Sequence, residues 1–139
     1  MEYRLLCKGK RVDNGEWVCG HYIATRKDDH IIYEHDFGMY ESVDPETVCQ
    51  CTGITDKNNQ LIFEMDIVER QISKTPCAKG TIEWDNVEAT YYAKTIDEDG
   101  CCADWNMADV HLGCVIIGNV YDNPELMAVG RNTTEEGRV

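Results

Sequence analysis

The sequence predicts a mostly β fold assembled from hairpins, and three observations carry that prediction. Asn14-Gly15 sits between two strand-like runs within Tyr3 to Ile23. Thr52 to Val68 takes a polar turn, Asp56 to Asn59, into an apolar extended segment that closes on Asp66, Ile67 and Val68. Asp85-Asn86 separates Gly80 to Trp84 from Ala89 to Ile96, a returning run rich in Thr and Tyr. Asn-Gly favours a hairpin because a type I′ turn needs positive φ at both central residues. Thr and the aromatics suit a pleated, half-buried surface.

Taken in order, the first hairpin is expected to set Val12 near Trp17. The two-residue period then puts Trp17, Cys19, His21 and Ile23 on one strand face. His30 to His35 reads as a short strand on which His30 and Glu34 face one way and His35 the other, so these groups do not converge on a metal. Phe37 to Pro45 reads as loop, with a turn at Asp44-Pro45 because the residue before proline avoids the α region. Thr47 to Cys51 reads as extended, which points Cys49 and Cys51 to the same side. Glu69 to Lys79 is polar, contains Thr75-Pro76, and reads as an irregular excursion. In Thr95 to Asn106, Asp97, Asp99 and Gly100 match part of a calcium loop, but Thr95 and Asn106 stand where its first carboxylate and bidentate glutamate belong.

The run VIIGNVY, 115–121, is expected to be a buried strand, with Gly118 marking a bulge or a close backbone approach. Asn123-Pro124-Glu125 has the form of a helix start, giving a short C-terminal helical turn. The polar segment 128–139 is expected to be disordered. Residues 1–127 are thus read as one β domain, or as two small β subdomains sharing a core. The Asn14-Gly15 hairpin and the strand 115–121 are expected to share that core.

At 139 residues and 42% hydrophobic content, the chain buries a core without covalent staples. Its 26 acidic and 13 basic residues give a formal net charge of -13. Such an average surface repels phosphate, so no direct nucleic-acid backbone binding is expected unless a local basic patch exists. Arg4, Lys8, Lys10 and Arg11 form the only such cluster, read as a solvated edge strand. The 8 cysteines include no C-x-x-C pair. The opening MEYRLLCKGK has no apolar signal region, and no run approaches the roughly 18 apolar residues of a membrane span. A cytoplasmic protein with free thiols acting as small buried hydrophobes is expected.

Four blocks, KGKRVDNGEWVCG (Lys8 to Gly20), DPETVCQCTGITDKNNQLIFEMDIV (Asp44 to Val68), GTIEWDN (Gly80 to Asn86) and VIIGNVYDNPEL (Val115 to Leu126), resemble the YopX family in order and spacing. These are small proteins carried largely by phages and prophages. The resemblance implies an SH3-like barrel or roll and a host-cytoplasmic accessory protein, and it brings no defined activity. The family usually has glycine at the positions of Met65 and Asn59, and glycine and an aromatic at Cys49 and Cys51.

No nucleophile with its base, phosphate-cradling glycine loop or metal spacing is found. Neither catalytic residues nor a cofactor, metal or membrane partner is therefore expected. The residues point to a non-enzymatic acidic protein-binding module for an unknown host or phage protein, with Trp84, Asp85 and Tyr92 as contacts. The alternative is an oligomeric protein that binds or sequesters a nucleotide, stacking a base on Tyr91, Tyr92 or Trp105 inside an Arg- or Lys-lined pocket. A nucleic-acid-processing enzyme would require Asp66 and Asp85 to meet. A homo-oligomer is left open.

Overall fold

Pairing of the strand-like runs with their sequence neighbours builds most of this protein. The computed structural model describes residues 5–25, 27–34, 36–71, 78–96 and 102–128. The strands are β1 (Cys7–Lys10), β2 (Trp17–Ala24), β3 (His30–Glu34), β4 (Met39–Ser42), β5 (Cys49–Thr55), β6 (Leu61–Phe63), β7 (Asp66–Arg70), β8 (Lys79–Asp85), β9 (Thr90–Thr95), β10 (Trp105–Asn106) and β11 (Cys114–Asn119). One short helix, α1 (Met107–Gly113), precedes β11. The fold is mostly β, in two antiparallel sheets ordered β4-β3-β2-β1-β5-β6 and β10-β9-β8-β7-β11, neither of them a closed barrel. The chain divides into unit 1, Met1–Gly53 with Leu61–Glu64, and unit 2, Ile54–Gln60 with Met65–Val139. The Asn14-Gly15 hairpin falls in unit 1 and β11 in unit 2. Arg4, the Thr75-Pro76 excursion, Asp97 to Cys101 and the tail from residue 129 lie outside the described residues.

In unit 1, β1 and β2 pair from Lys10↔Trp17 to Cys7↔Gly20. The turn between them is wider than a type I′ turn. Arg11 N donates to Glu16 O and Gly15 N to Arg11 O, and only Gly15 takes positive φ, at 75°. Val12 accordingly lies in the loop, with its N–H on Ser42 O, and Lys10 faces Trp17 in its place. Strand β2 pairs with β1 through Gly20 and with β3 from His21 onward. A Cβ on Gly20 would overlap the Tyr33 carbonyl oxygen, so this handover requires glycine. The segment read as loop contains β4, which pairs with β3 from Ile31↔Ser42 to Glu34↔Met39. An antiparallel bridge, Arg11↔Val43, joins the end of β1 to the chain just beyond β4. Asp44 then caps a 3-10 turn, Pro45–Thr47, by accepting from Glu46 N at 3.0 Å.

Inward positions of this sheet bury Ile32 and Val43, while Gly9 leaves room for Val43, Ile32 and Val48. Each buried Ile or Val contributes about 2 kcal/mol by removal from water. Cys49 and Cys51 are buried on one face of β5, as the extended reading expects.

In unit 2, Asp56 organises the turn before β6. Its Oδ1 accepts from Asn58 N at 2.8 Å and Gln60 N at 2.9 Å, and its Oδ2 from Ile116 N at 2.9 Å. Asn59 takes φ 68°, so the left-handed turn survives the exchange of the family's usual glycine. Met65 also keeps the tight turn, at φ 69°, with its N–H on Ile82 O and its carbonyl accepting from Val120 N. The turn therefore persists without glycine, at a conformational cost that these two bonds offset. Strand β11 has an irregularity between Ile116 and Gly118, where a Cβ would overlap the Asn123 side chain. Asn123 heads a 3-10 turn, Pro124–Met127, as expected, but its side chain reaches back to Asn119 N at 3.1 Å.

Helix α1 has no counterpart in the sequence reading. Asn106 caps it by accepting from Asp109 N at 2.8 Å, and Met107 and Val110, three apart, are buried with Cys114. No helix among the described residues is long and apolar enough to cross a membrane.

Candidate functional site

The β8–β9 hairpin of unit 2 holds all three residues singled out as contacts. Its register runs from Gly80↔Thr95 to Asp85↔Thr90. Asp85 builds the turn: its Oδ1 accepts from Val87 N at 2.9 Å and Glu88 N at 3.2 Å, and Ala89 N donates to its carbonyl. Ala89 closes the turn at φ 57°. Trp84 pairs with Tyr91 across the strands, ring centroids 4.9 Å apart and edge to face, and its Nε1 donates to Asn86 Oδ1 at 2.8 Å. Tyr92 pairs with Glu83, and alternation sends this pair to the opposite face from Trp84.

Trp84 and Tyr92 therefore do not form one surface, and Asp85 is a turn cap. Trp84 is 43% exposed, and Val87, at the tip, is 89% exposed. Val87 was not singled out from sequence, because nothing marks an apolar turn residue until the turn is seen. Desolvation first, and then the Glu83 carboxylate, pushes the Tyr92 hydroxyl above its ordinary value. Glu83, Asp85 and Glu88 leave the hairpin rich in carboxylates.

The base-stacking set is not assembled. Tyr91 and Tyr92 alternate across the sheet, and Trp105 is buried, with the Arg70 guanidinium 4.4 Å from its ring centroid and Gly80 against its edge. Asp66 and Asp85 are also held apart. Asp66 precedes Ile67, which pairs with Thr81, so Asp85 lies on the order of 10 Å further along the ladder. Among the described residues, no group of His, Cys, Asp and Glu is arranged to hold a metal ion.

Cys7, Cys19, Cys49, Cys51 and Cys114 are free thiols. Cys102 is disulfide-bonded, with its partner outside the described residues, which corrects the expectation of free thiols throughout. Burial pushes the Cys7, Cys19 and Cys114 thiols up. They are therefore weak nucleophiles at neutral pH.

Unit 1 carries a second arrangement, on the face of its sheet that bears His21 and Tyr33. His21 pairs with Tyr33 and Tyr33 with Tyr40, which sets three rings in one row across β2, β3 and β4. The Tyr33 and Tyr40 centroids are 4.7 Å apart, and Tyr40 is 64% exposed. Lys8 pairs with Cys19 on the same face. Its Nζ stands 4.6 Å from the Trp17 centroid and 4.9 Å from that of Phe63, and Lys10 Nζ stands 5.4 Å from Trp17. Arg11 is held by Asp13 at 2.7 Å and Glu41 at 3.4 Å.

Comparison with the curated proteins finds no match. The family model described as YopX protein matches residues 6–128, which spans both sheets and stops at the end of the C-terminal 3-10 turn. With nearly the whole described chain inside that match, this protein belongs to the YopX family.

Proposed function

We propose that this YopX-family chain is a non-enzymatic binding module, a phage or prophage accessory protein that works in the bacterial cytoplasm by engaging a basic host or phage protein. The observation that carries the reading is the β8–β9 tip: an edge-to-face Trp84–Tyr91 pair and an exposed Val87 beside Asp85 and Glu88 of the turn. Apolar anchors with an acidic rim supply burial and charge steering together. The Arg11↔Val43 bridge, which returns the end of β1 to the end of β4, supports reading unit 1 as an SH3-like roll. A nucleotide-sequestering role is the weaker reading, since Trp105 is committed to the interior.

The test is affinity capture of the tagged protein from host cells beside a Trp84→Ser/Val87→Ser variant. A stoichiometric protein that the variant recovers at least about tenfold less well, and that high salt releases, is the expected result. Equal recovery by both proteins, or a nucleotide released on denaturation with no protein retained, overturns the reading.

A further inference from the structure

Asn14-Gly15 does not build the type I′ turn that the dipeptide favours, and the proposed binding surface does not include it. Both residues are exposed in the loop between β1 and β2. Asn14 Oδ1 accepts from Glu16 N at 2.9 Å, which polarises the side-chain amide carbon. Gly15 N follows that side chain directly, and a Cβ placed on Gly15 would meet nothing within 4 Å, so the loop leaves room for the two to approach. Every other described asparagine precedes a residue whose side chain crowds such an approach or, at Asn123, a proline without an N–H. The same loop ties β1 to β4: Val12 N donates to Ser42 O at 3.0 Å, and Arg11 bridges Val43 just beyond.

We propose that Asn14 is a site of spontaneous deamidation whose isoaspartyl product releases this loop from the end of β4. Gly15 N gives its proton to hydroxide and attacks Asn14 Cγ; the Cγ–Nδ2 bond breaks, and the amide nitrogen leaves as ammonia. Water then opens the resulting cyclic imide. Breaking the bond from Gly15 N to Cγ gives aspartate. Breaking its bond to the Asn14 main-chain carbonyl carbon gives isoaspartate, in which the backbone runs through Cγ with one extra methylene. The fold sets the pace, because Gly15 N donates to Arg11 O at 2.9 Å and its proton leaves only while the turn is open. Opening an exposed loop costs little, so the reaction proceeds from the folded chain. The aspartyl product keeps an acceptor for Glu16 N. The isoaspartyl product displaces Gly15 and Glu16 along the chain, so the bonds to Arg11 O and Asn14 Oδ1 are lost together. Its new carboxylate stands beside Asp13 and Glu16, while Arg11 is already held by Asp13.

The experiment ages the full chain in neutral and in mildly alkaline buffer and maps its peptides by mass spectrometry, with isoaspartate identified by enzymatic methyl transfer. The expected result is a gain of about 1 Da, confined at first to the Asn14 peptide, divided between the two isomers and faster at the higher pH. Gly15→Ala slows it at least about tenfold, because a Cβ crowds the attacking nitrogen. Thermal melts establish that each variant is folded. By hydrogen exchange, Val12 N–H exchanges at least about tenfold faster in the isoaspartyl fraction than in the unaged chain, whereas freshly purified Asn14→Asp exchanges like the unaged chain. The inference is overturned if the Asn14 peptide gains no mass or if another described asparagine converts first. It also fails if Gly15→Ala ages like the parent, or if Val12 exchange is unchanged in the isoaspartyl fraction.

Discussion

The ring-bearing sheet face of unit 1 and the hairpin tip of unit 2 are both built from aromatic side chains at cross-strand positions, yet the charged residues beside them differ. Tyr33 and Tyr40 pair in register beside His21, with Lys8 and Lys10 further across the sheet, whereas Trp84 and Tyr91 sit beside a turn that carries Asp85 and Glu88. A net charge of -13 describes neither. It sets solubility and long-range repulsion, while recognition is decided over a Debye length of about 10 Å.

The two regions also differ in what holds them. The ring row depends on register across three successive strands and on one position, Gly20, where β2 changes partner. The tip is local, closed by Asp85 and by Ala89 in a left-handed conformation. The largest expected effect follows from that difference: Gly20→Ala should lower unfolding stability by about 3 kcal/mol, read by urea titration. A loss of only a few tenths would mean that the strand handover tolerates a side chain and that the contrast with the tip is wrong. The reverse exchange at the tip, Ala89→Gly, should raise stability by roughly 0.5 to 1 kcal/mol, because glycine removes the cost of positive φ at an exposed position. No gain in melting temperature would show the turn to be unstrained.

The smallest effect concerns the thiols of unit 1. Burial raises Cys7 and Cys19 above the ordinary thiol value, so their contribution is complete below the unfolded-state pKa and is lost as pH rises through the folded one. Stability should therefore begin to decline as pH rises past the ordinary thiol value of about 8.5. A Cys7→Ser/Cys19→Ser variant should decline less steeply, and identical slopes would assign the alkaline loss elsewhere, including to Tyr92 in the hairpin.

Local chemistry in the sequence was enough to read both hairpins, the bulge at Gly118 and the C-terminal turn, because each is written in neighbouring residues. Asn14-Gly15 nevertheless misled about turn type, since Gly15 alone takes the left-handed conformation. Strand β4 was hidden because Met39 and Tyr40 are exposed at a sheet edge and give no alternation. Helix α1 was legible in principle from Asn106 and the Met107–Val110 spacing, but its length of 7 residues gives a weak periodic signal. The candidate surfaces divide the same way. Trp84 announced itself beside a turn, whereas His21, Tyr33 and Tyr40 meet only through register, which sequence periodicity does not contain.

The chain leaves unit 1 after Gly53, returns at Leu61, and leaves again after Glu64. No single cut in the gene separates the two units, because the segment that completes each is encoded inside the stretch belonging to the other. Recombination with a related gene at one crossover would therefore leave at least one of the units with segments from both parents. On a ribosome, unit 1 likewise waits for residues 61–64, by which time the first segment of unit 2 has already been made. The ring row and the hairpin tip are thus inherited, and synthesised, together.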